Sequence, residues 1–325
     1  MEGGNLAYSK EDDFYSEMEQ LALLTTNKDF LLRNPFTTLS MTSSAVGQAS
    51  WIAATIMEEY PVLWPETVRA LMIHSATWPE PMLKKIFENK SEKDLRRIDY
   101  RRLLRTVGYG VPNVDRAIHC VQNSVNMIIE EELQPFIKEN SVKINEMHLH
   151  EIPWPEDVLL ALGETEVEIR VTLSYFIEPA PGEIGWKDKY RYPSHRLYFD
   201  VNNTSEDKEN FMKRINKAVR EEQSDKGDVQ NDSSRWLIGI GNREVGSIHS
   251  DIWRGTASEL SENRYVAIYP GTGWWYTRPH LKRYDSKGKY SLVVSISTPD
   301  EKIDLYTPII SKISYKVPIK TEIKY

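Results

Sequence analysis

Only one of the 325 residues is a cysteine, Cys120, so the sequence can hold neither an internal disulfide nor a cysteine-built zinc site. Long apolar runs are missing as well, and none approaches the roughly 18 residues of a membrane-spanning helix. The start of the chain, with Glu2, Glu11, Asp12 and Asp13, does not read as a secretory signal, and a cytoplasmic location is expected. Positive charge is in deficit. Lys plus Arg number 41 against 48 Asp plus Glu, a net charge of −7, which argues against a general nucleic-acid binder. No metal-ligand or cofactor motif emerges. What remains is 40% apolar and 27% charged, ordinary for a soluble chain that buries a sizeable core, and the length suits about two domains.

One stretch organises the rest: Leu39-Ser-Met-Thr-Ser-Ser-Ala-Val-Gly-Gln-Ala-Ser-Trp-Ile-Ala-Ala-Thr-Ile-Met57. Ala45, Ala49, Ile52, Ala53 and Ile56 fall at helical spacing and form one apolar stripe. Thr42, Ser43 and Ser44 stand just ahead of that stripe. Two readings of these hydroxyls are open. Ser and Thr are preferred helix N-caps. Alternatively, a serine in the first turn sits beside unpaired N–H groups and the positive end of the helix dipole, where an acyl-transfer enzyme places its nucleophile.

Thr42-Ser43-Ser44-Ala45 followed by a small-residue helix resembles the serine motif of the subtilases, the subtilisin-like serine peptidases, in which Gly-Thr-Ser-x-Ala precedes such a helix. Two later segments are similar to the same family and follow in the family's order. Pro61-Val-Leu-Trp-Pro-Glu-Thr-Val-Arg-Ala-Leu-Met-Ile-His-Ser-Ala76 resembles its second helix, and Val107-Gly-Tyr-Gly-Val-Pro-Asn-Val-Asp-Arg-Ala117 the segment that closes the catalytic domain. The resemblance implies that residues 1–125 are the C-terminal part of an α/β subtilisin-like catalytic domain, N-terminally incomplete. Met1-Glu-Gly-Gly-Asn5 would then fall near the end of an internal strand. It also implies a serine-type endopeptidase forming an acyl-enzyme on Ser43, with the Ser43 N–H as half of the oxyanion hole. The family's aspartate, histidine and oxyanion asparagine would come from a preceding segment; a role for Asn5 as that asparagine is the less favoured alternative. Large subtilases of this shape occur beside AAA-type ATPases, so such an ATPase is an implied partner, next to a peptide or protein substrate.

Two departures matter. Met41 stands where the family has glycine, at a point of close backbone approach. Gly47 and Gln48 replace a more variable pair. Histidine order adds to this. Subtilases run Asp, His, Ser along the chain, yet His74, His119, His148, His150, His195, His249 and His280 all follow Ser43. A serine without a base is a poor nucleophile at neutral pH. The isolated chain is therefore expected to be inactive, the alternative being a non-catalytic pseudo-protease or protein-binding module. Its helix stripe is expected to lie partly uncovered.

Residues 58–80 read as a turn and a second helix with Pro65 at its start, Val68, Leu71, Met72 and Ser75 inward, and His74 structural. Residues 84–106 are highly charged and read as a surface helix or an insertion, and an Asn113-capped helix is expected to about Cys120. The period then changes. Residues 126–325 read as an antiparallel β-sandwich, similar to the jelly-roll domain that follows some subtilase catalytic domains, with a charged helical and loop insertion at about 206–234. Expected strands are Val142–His150, Glu166–Tyr175, His195–Val201, Trp236–Ile240, Gly246–Trp253, Tyr265–Tyr269, Tyr290–Ser297 and Asp304–Pro308. Glu166–Tyr175 alternates cleanly and reads as half-buried, with Glu168, Arg170, Thr172 and Ser174 facing water. His249-Ser250-Asp251 holds three triad residue types, but strand neighbours point to opposite faces and cannot converge. His148 and His150 share a strand face, a metal pair lacking a third ligand or, more simply, a polar strand edge. Gly271–Pro279 reads as a turn pinned by aromatics or a ligand loop.

Overall fold

The computed structural model describes residues 3–11, 13–87, 90, 94–119, 124–154, 156–181, 192–223, 235–298 and 319–322. The chain opens with two short antiparallel hairpins, β1 (Leu6–Ser9) with β2 (Phe14–Glu17) and β3 (Leu23–Thr26) with β4 (Phe36–Leu39). Helices α1 (Thr42–Glu59), α2 (Pro65–His74), α3 (Glu80–Phe87), α4 (Arg97–Val107) and α5 (Val114–Ile118) follow. Next come β5 (Ser124–Leu133), β6 (Phe136–Lys138), β7 (Val142–Ile144), β8 (Glu146–Glu151), α6 (Glu156–Leu162), β9 (Glu166–Tyr175) and β10 (Arg196–Val201). The last described elements are α7 (Lys208–Gln223), α8 (Ile240–Arg243), β11 (Ile248–Thr256), α9 (Ala257–Glu262), β12 (Tyr265–Gly271), α10 (Trp274–Thr277), β13 (Gly288–Ser297) and β14 (Ile319–Glu322).

Two four-stranded antiparallel sheets dominate this mixed α/β structure, in the orders β11-β9-β13-β5 and β10-β12-β8-β14. Period-2 alternation aims Val167, Ile169, Val171 and Leu173 of β9, and Leu292, Val294 and Ile296 of β13, at Leu197, Phe199, Val266 and Ile268 of the facing sheet. That shared cluster is the largest core. Beyond the second sheet, Phe211, Ile215 and Val219 of α7 pack on Leu149, Tyr198 and Ala267, as their helical spacing predicts.

The outer face of the first sheet departs from expectation. Arg170, Thr172 and Ser174 are buried, because α2 lies across β9 and β13. Alternation identified which residues share a face; the polar face is dry because α2 satisfies it. His74 Nδ1 bonds Thr172 Oγ1 at 2.9 Å, and Arg69 Nε donates to Ser174 Oγ at 3.0 Å. The sheet also caps both ends of α2. Glu130 of β5 accepts from Trp64 N at 2.7 Å and from the Thr67 hydroxyl. Arg170 donates to the carbonyls of His74 (2.8 Å) and Ala76. A carboxylate at the positive end and a guanidinium at the negative end complement the helix dipole. Packed on α2 and α5, α1 buries Ile52 and Ile56 in a smaller core with Val68, Leu71, Ala117 and Val293.

Other expectations meet the structure as follows. The charged stretch after residue 80 forms α3 and α4, packed through Ile86, Phe87, Tyr100 and Leu103. Asn113 caps α5, accepting from Arg116 N at 2.8 Å. Val142–His150 is two strands, because the Asn145 amide turns aside to the Pro135 carbonyl. Trp236–Ile240 is no strand. Trp236 forms an isolated bridge to Trp253, then the Asp251 carboxylate takes the N–H groups of Ile238 and Gly239 at 2.9 Å each, and α8 begins. Cys120, the 224–234 part of the insertion and Asp304–Pro308 lie outside the described residues. Among the described residues no helix is long and apolar enough to cross a membrane.

Candidate functional site

The backbone leading into α1 sets the geometry around Ser43. The helix opens at Thr42, so Thr42, Ser43 and Ser44 occupy its first turn, and Met41 takes the N-cap position without a side-chain cap bond. Capping is therefore not what these hydroxyls do. The first-turn N–H groups of this 18-residue helix remain without a capping side chain. Ser43 is exposed, while Ser44 is buried with a hydroxyl that has no hydrogen-bond partner among the described residues. An exposed nucleophile at the positive end of a helix can host a developing oxyanion on the neighbouring amides.

Met41 has φ 77° and ψ −171°, a region that essentially only glycine populates. The sequence puts methionine in the glycine position, and the backbone keeps the glycine conformation. Two glycines buttress the same turn, and sequence reasoning missed this role, though the Gly-Gly pair was its signal. A Cβ on Gly3 would lie 2.2 Å from the Met41 carbonyl oxygen, and one on Gly4 would lie 3.0 Å from the Ser40 Cβ. Gly4 itself has φ 80°. Met41→Gly should accordingly stabilise the chain by about 1 kcal/mol or more, since the strain of such a conformation is roughly 1–3 kcal/mol and glycine's looser unfolded state offsets part of it. Equilibrium urea unfolding checks this, and an unchanged or lower midpoint would contradict the strain.

No described imidazole is bonded to Ser43. His74 is held under α2 by Thr172, as a structural residue, and burial with the nearby Arg170 and Arg116 charges pushes its pKa well below the ordinary value. His148 and His150 do share a face, directed into the core, and both bond Tyr290 Oη at 2.7 Å. They stand on β8, inside the sheet between β12 and β14, which corrects the strand-edge expectation. No cluster of three or more metal-ligating side chains exists among the described residues. His249, Ser250 and Asp251 diverge as expected. His249 stacks on Tyr198, Ser250 bonds Thr172 beneath α2, and Asp251 pairs with the buried Arg243. Gly271–Pro279 is a pinned turn, with Trp274 and Trp275 buried and their indole N–H groups donated to Glu178. Asn5 accepts from the amide of Leu6 through its side chain.

The α1 stripe is partly uncovered, as expected: Ile52 and Ile56 are buried, but Ala45, Ala49 and Ala53 are only half-buried, and the outer face is bare as well, with Val46 and Trp51 each 61% exposed. No described side chain before Ser44 is fully buried.

Comparison with known proteins bears on this first third of the chain. No curated protein matches the sequence. Residues 1–110 match the family model Peptidase_S8, described as the subtilase family, and the match ends before the two large sheets. The segment carrying Ser43, with its uncapped helix start and glycine-type turn, falls inside the stretch that matches the subtilase family, and this first third of the chain is similar to subtilisin-like serine peptidases.

Proposed function

We propose that Ser43 is the nucleophile of a serine endopeptidase whose base and orienting carboxylate come from polypeptide beyond these 325 residues. The observation that supports this is the exposed Ser43 in the uncapped first turn of α1, with no imidazole bonded to it. In the assembled site the Ser43 Oγ adds to the scissile carbonyl and its proton passes to the incoming imidazole. The carbonyl electrons move onto the oxygen, held in part by the Ser43 N–H. Collapse expels the amine, which takes that proton, and leaves an acyl-serine for water to hydrolyse. The two large sheets fit a β-sandwich extension of jelly-roll type, and an AAA-type ATPase remains the suggested partner. The glycine conformation forced on Met41 favours one second reading, a pseudo-protease that binds protein without cleaving it.

A fluorophosphonate probe tests the assignment. The chain alone should not label. A longer form carrying the Asp and His segments should label, and Ser43→Ala should abolish that labelling. Ser43 labelling in the isolated chain would overturn the need for an external base. A folded longer form that stays unlabelled would leave the pseudo-protease reading.

A further inference from the structure

Gly3, Gly4 and Asn5 run between two other turns of the chain, one of which leads to Ser43. On one side the Asn5 N–H donates to the Leu21 carbonyl at 2.8 Å. On the other, a Cβ on Gly4 would lie 3.0 Å from the Ser40 Cβ and 3.3 Å from its Cα. The atoms nearest a Cβ on Gly3 are the carbonyl oxygen of Met41, the carbonyl carbon of Met41 at 2.8 Å and the nitrogen of Thr42 at 3.5 Å. Those three atoms belong to one peptide unit. The bare Cα of Gly3 therefore faces the Met41–Thr42 peptide, with no room between them for a methyl group.

An N-cap carbonyl accepts the first hydrogen bond of its helix, and Met41 holds the N-cap position of α1. The other end of the same peptide unit carries the Thr42 N–H, one residue before Ser43. A peptide unit is planar and moves as one body, so pressure on the Met41 oxygen turns the Thr42 N–H and loosens the turn that presents the Ser43 hydroxyl. Met41 does not fix this peptide by itself. It makes no side-chain cap bond, and a methionine at φ 77° would relax if its neighbours allowed. We propose that Gly3 is a positioning residue for the Ser43 site: its backbone packs on the Met41–Thr42 peptide and holds the orientation that aims the first-turn amides and the Ser43 hydroxyl. This role rests on the assignment of Ser43 as nucleophile, and Gly3 itself meets no reacting atom.

Gly3→Ala tests it with two readouts. In the 325-residue chain the amide resonances of Thr42 and Ser43 should shift while those of β9 and β13 stay in place. In the longer form carrying the Asp and His segments, the maximal rate of fluorophosphonate labelling should fall about 10-fold or more, the size of effect a small misplacement of a reacting group produces. The half-saturating probe concentration should change little. Should Gly3→Ala fail to fold, the same change in a Met41→Gly background should fold, since glycine at 41 lets the carbonyl swing clear, and it should still label slowly. Unmoved Thr42 and Ser43 resonances in a folded variant would overturn the proposal. So would a drop in the labelled fraction at the wild-type rate, which marks misfolding alone. A variant that labels as fast as a labelling parent overturns the role of Gly3 and leaves Ser43 as the nucleophile. A parent that does not label removes the Ser43 assignment, and the positioning role with it.

Discussion

Acidification from pH 7 to pH 5 is expected to strip most or all of the chain's stability, because four buried imidazoles must stay neutral in the folded state. Burial lowers His150 to about 3, His195 to about 4 and His249 to about 3, and drives His74 down as well. Each lies below the free imidazole value, so the unfolded chain binds the extra protons. The stability they contribute is whole above pH 6.5 and is lost as pH falls from there toward 4 and 3. At pH 5 His150, His195 and His249 each cost about 2 kcal/mol and His74 adds to the loss in the same direction, so together they approach the roughly 5–15 kcal/mol of a typical domain. One group opposes this. Burial raises the Asp251 carboxyl, so its protonation favours the fold, but a single carboxyl does not reverse the sign. Urea midpoints measured from pH 7.5 to 4.5 provide the test, and equal midpoints at pH 7 and pH 5 would rule the linkage out. His150→Gln, which keeps a polar group near the Tyr290 hydroxyl, should flatten the slope by about one proton.

The second large effect is expected at Arg170. Its guanidinium, lowered to about 10 by burial, terminates α2 by holding the His74 and Ala76 carbonyls and reaches Ser250 Oγ at 3.3 Å. Arg170→Ala leaves two buried carbonyls short of a donor, while Ser250 keeps its Thr172 partner, and opens a cavity under the helix. A loss of about 3 kcal/mol or more is expected, from roughly 1–3 kcal/mol for each buried group left unpaired. Arg170→Lys should recover part of it, since an ammonium reaches fewer of the three acceptors. Urea unfolding of both variants checks the order. A loss under about 0.5 kcal/mol for the alanine variant would mean that water replaces the guanidinium without cost.

These two sites show where the sequence was legible. Alternation from Glu166 to Tyr175 located β9 to the residue, since Val, Ile and Leu every second position suit only a pleated surface. Its other face looked wet because Arg, Thr and Ser usually are. Nothing local to the strand says that a helix about 100 residues earlier in the chain brings carbonyls and an imidazole to meet them. Trp236–Ile240 failed for a similar reason. Its residues suit a strand, but Asp251, remote in sequence, claims the backbone donors a partner strand would need. At Ser43 the motif and the histidine order were both readable in one dimension. The backbone of Met41 was legible only in part: the family's glycine marks the position as tight, but a methionine there does not say that the chain keeps the positive φ instead of relaxing the turn.

Helix α2 borrows both of its end groups from strands that lie well downstream. Cutting the chain near residue 120 would leave a helix with bare ends on one piece and a half-buried acid and a buried base without these partners on the other. The link between the subtilase segment and the sheets is thus a shared wall, and neither piece could be traded between genes without rebuilding that wall.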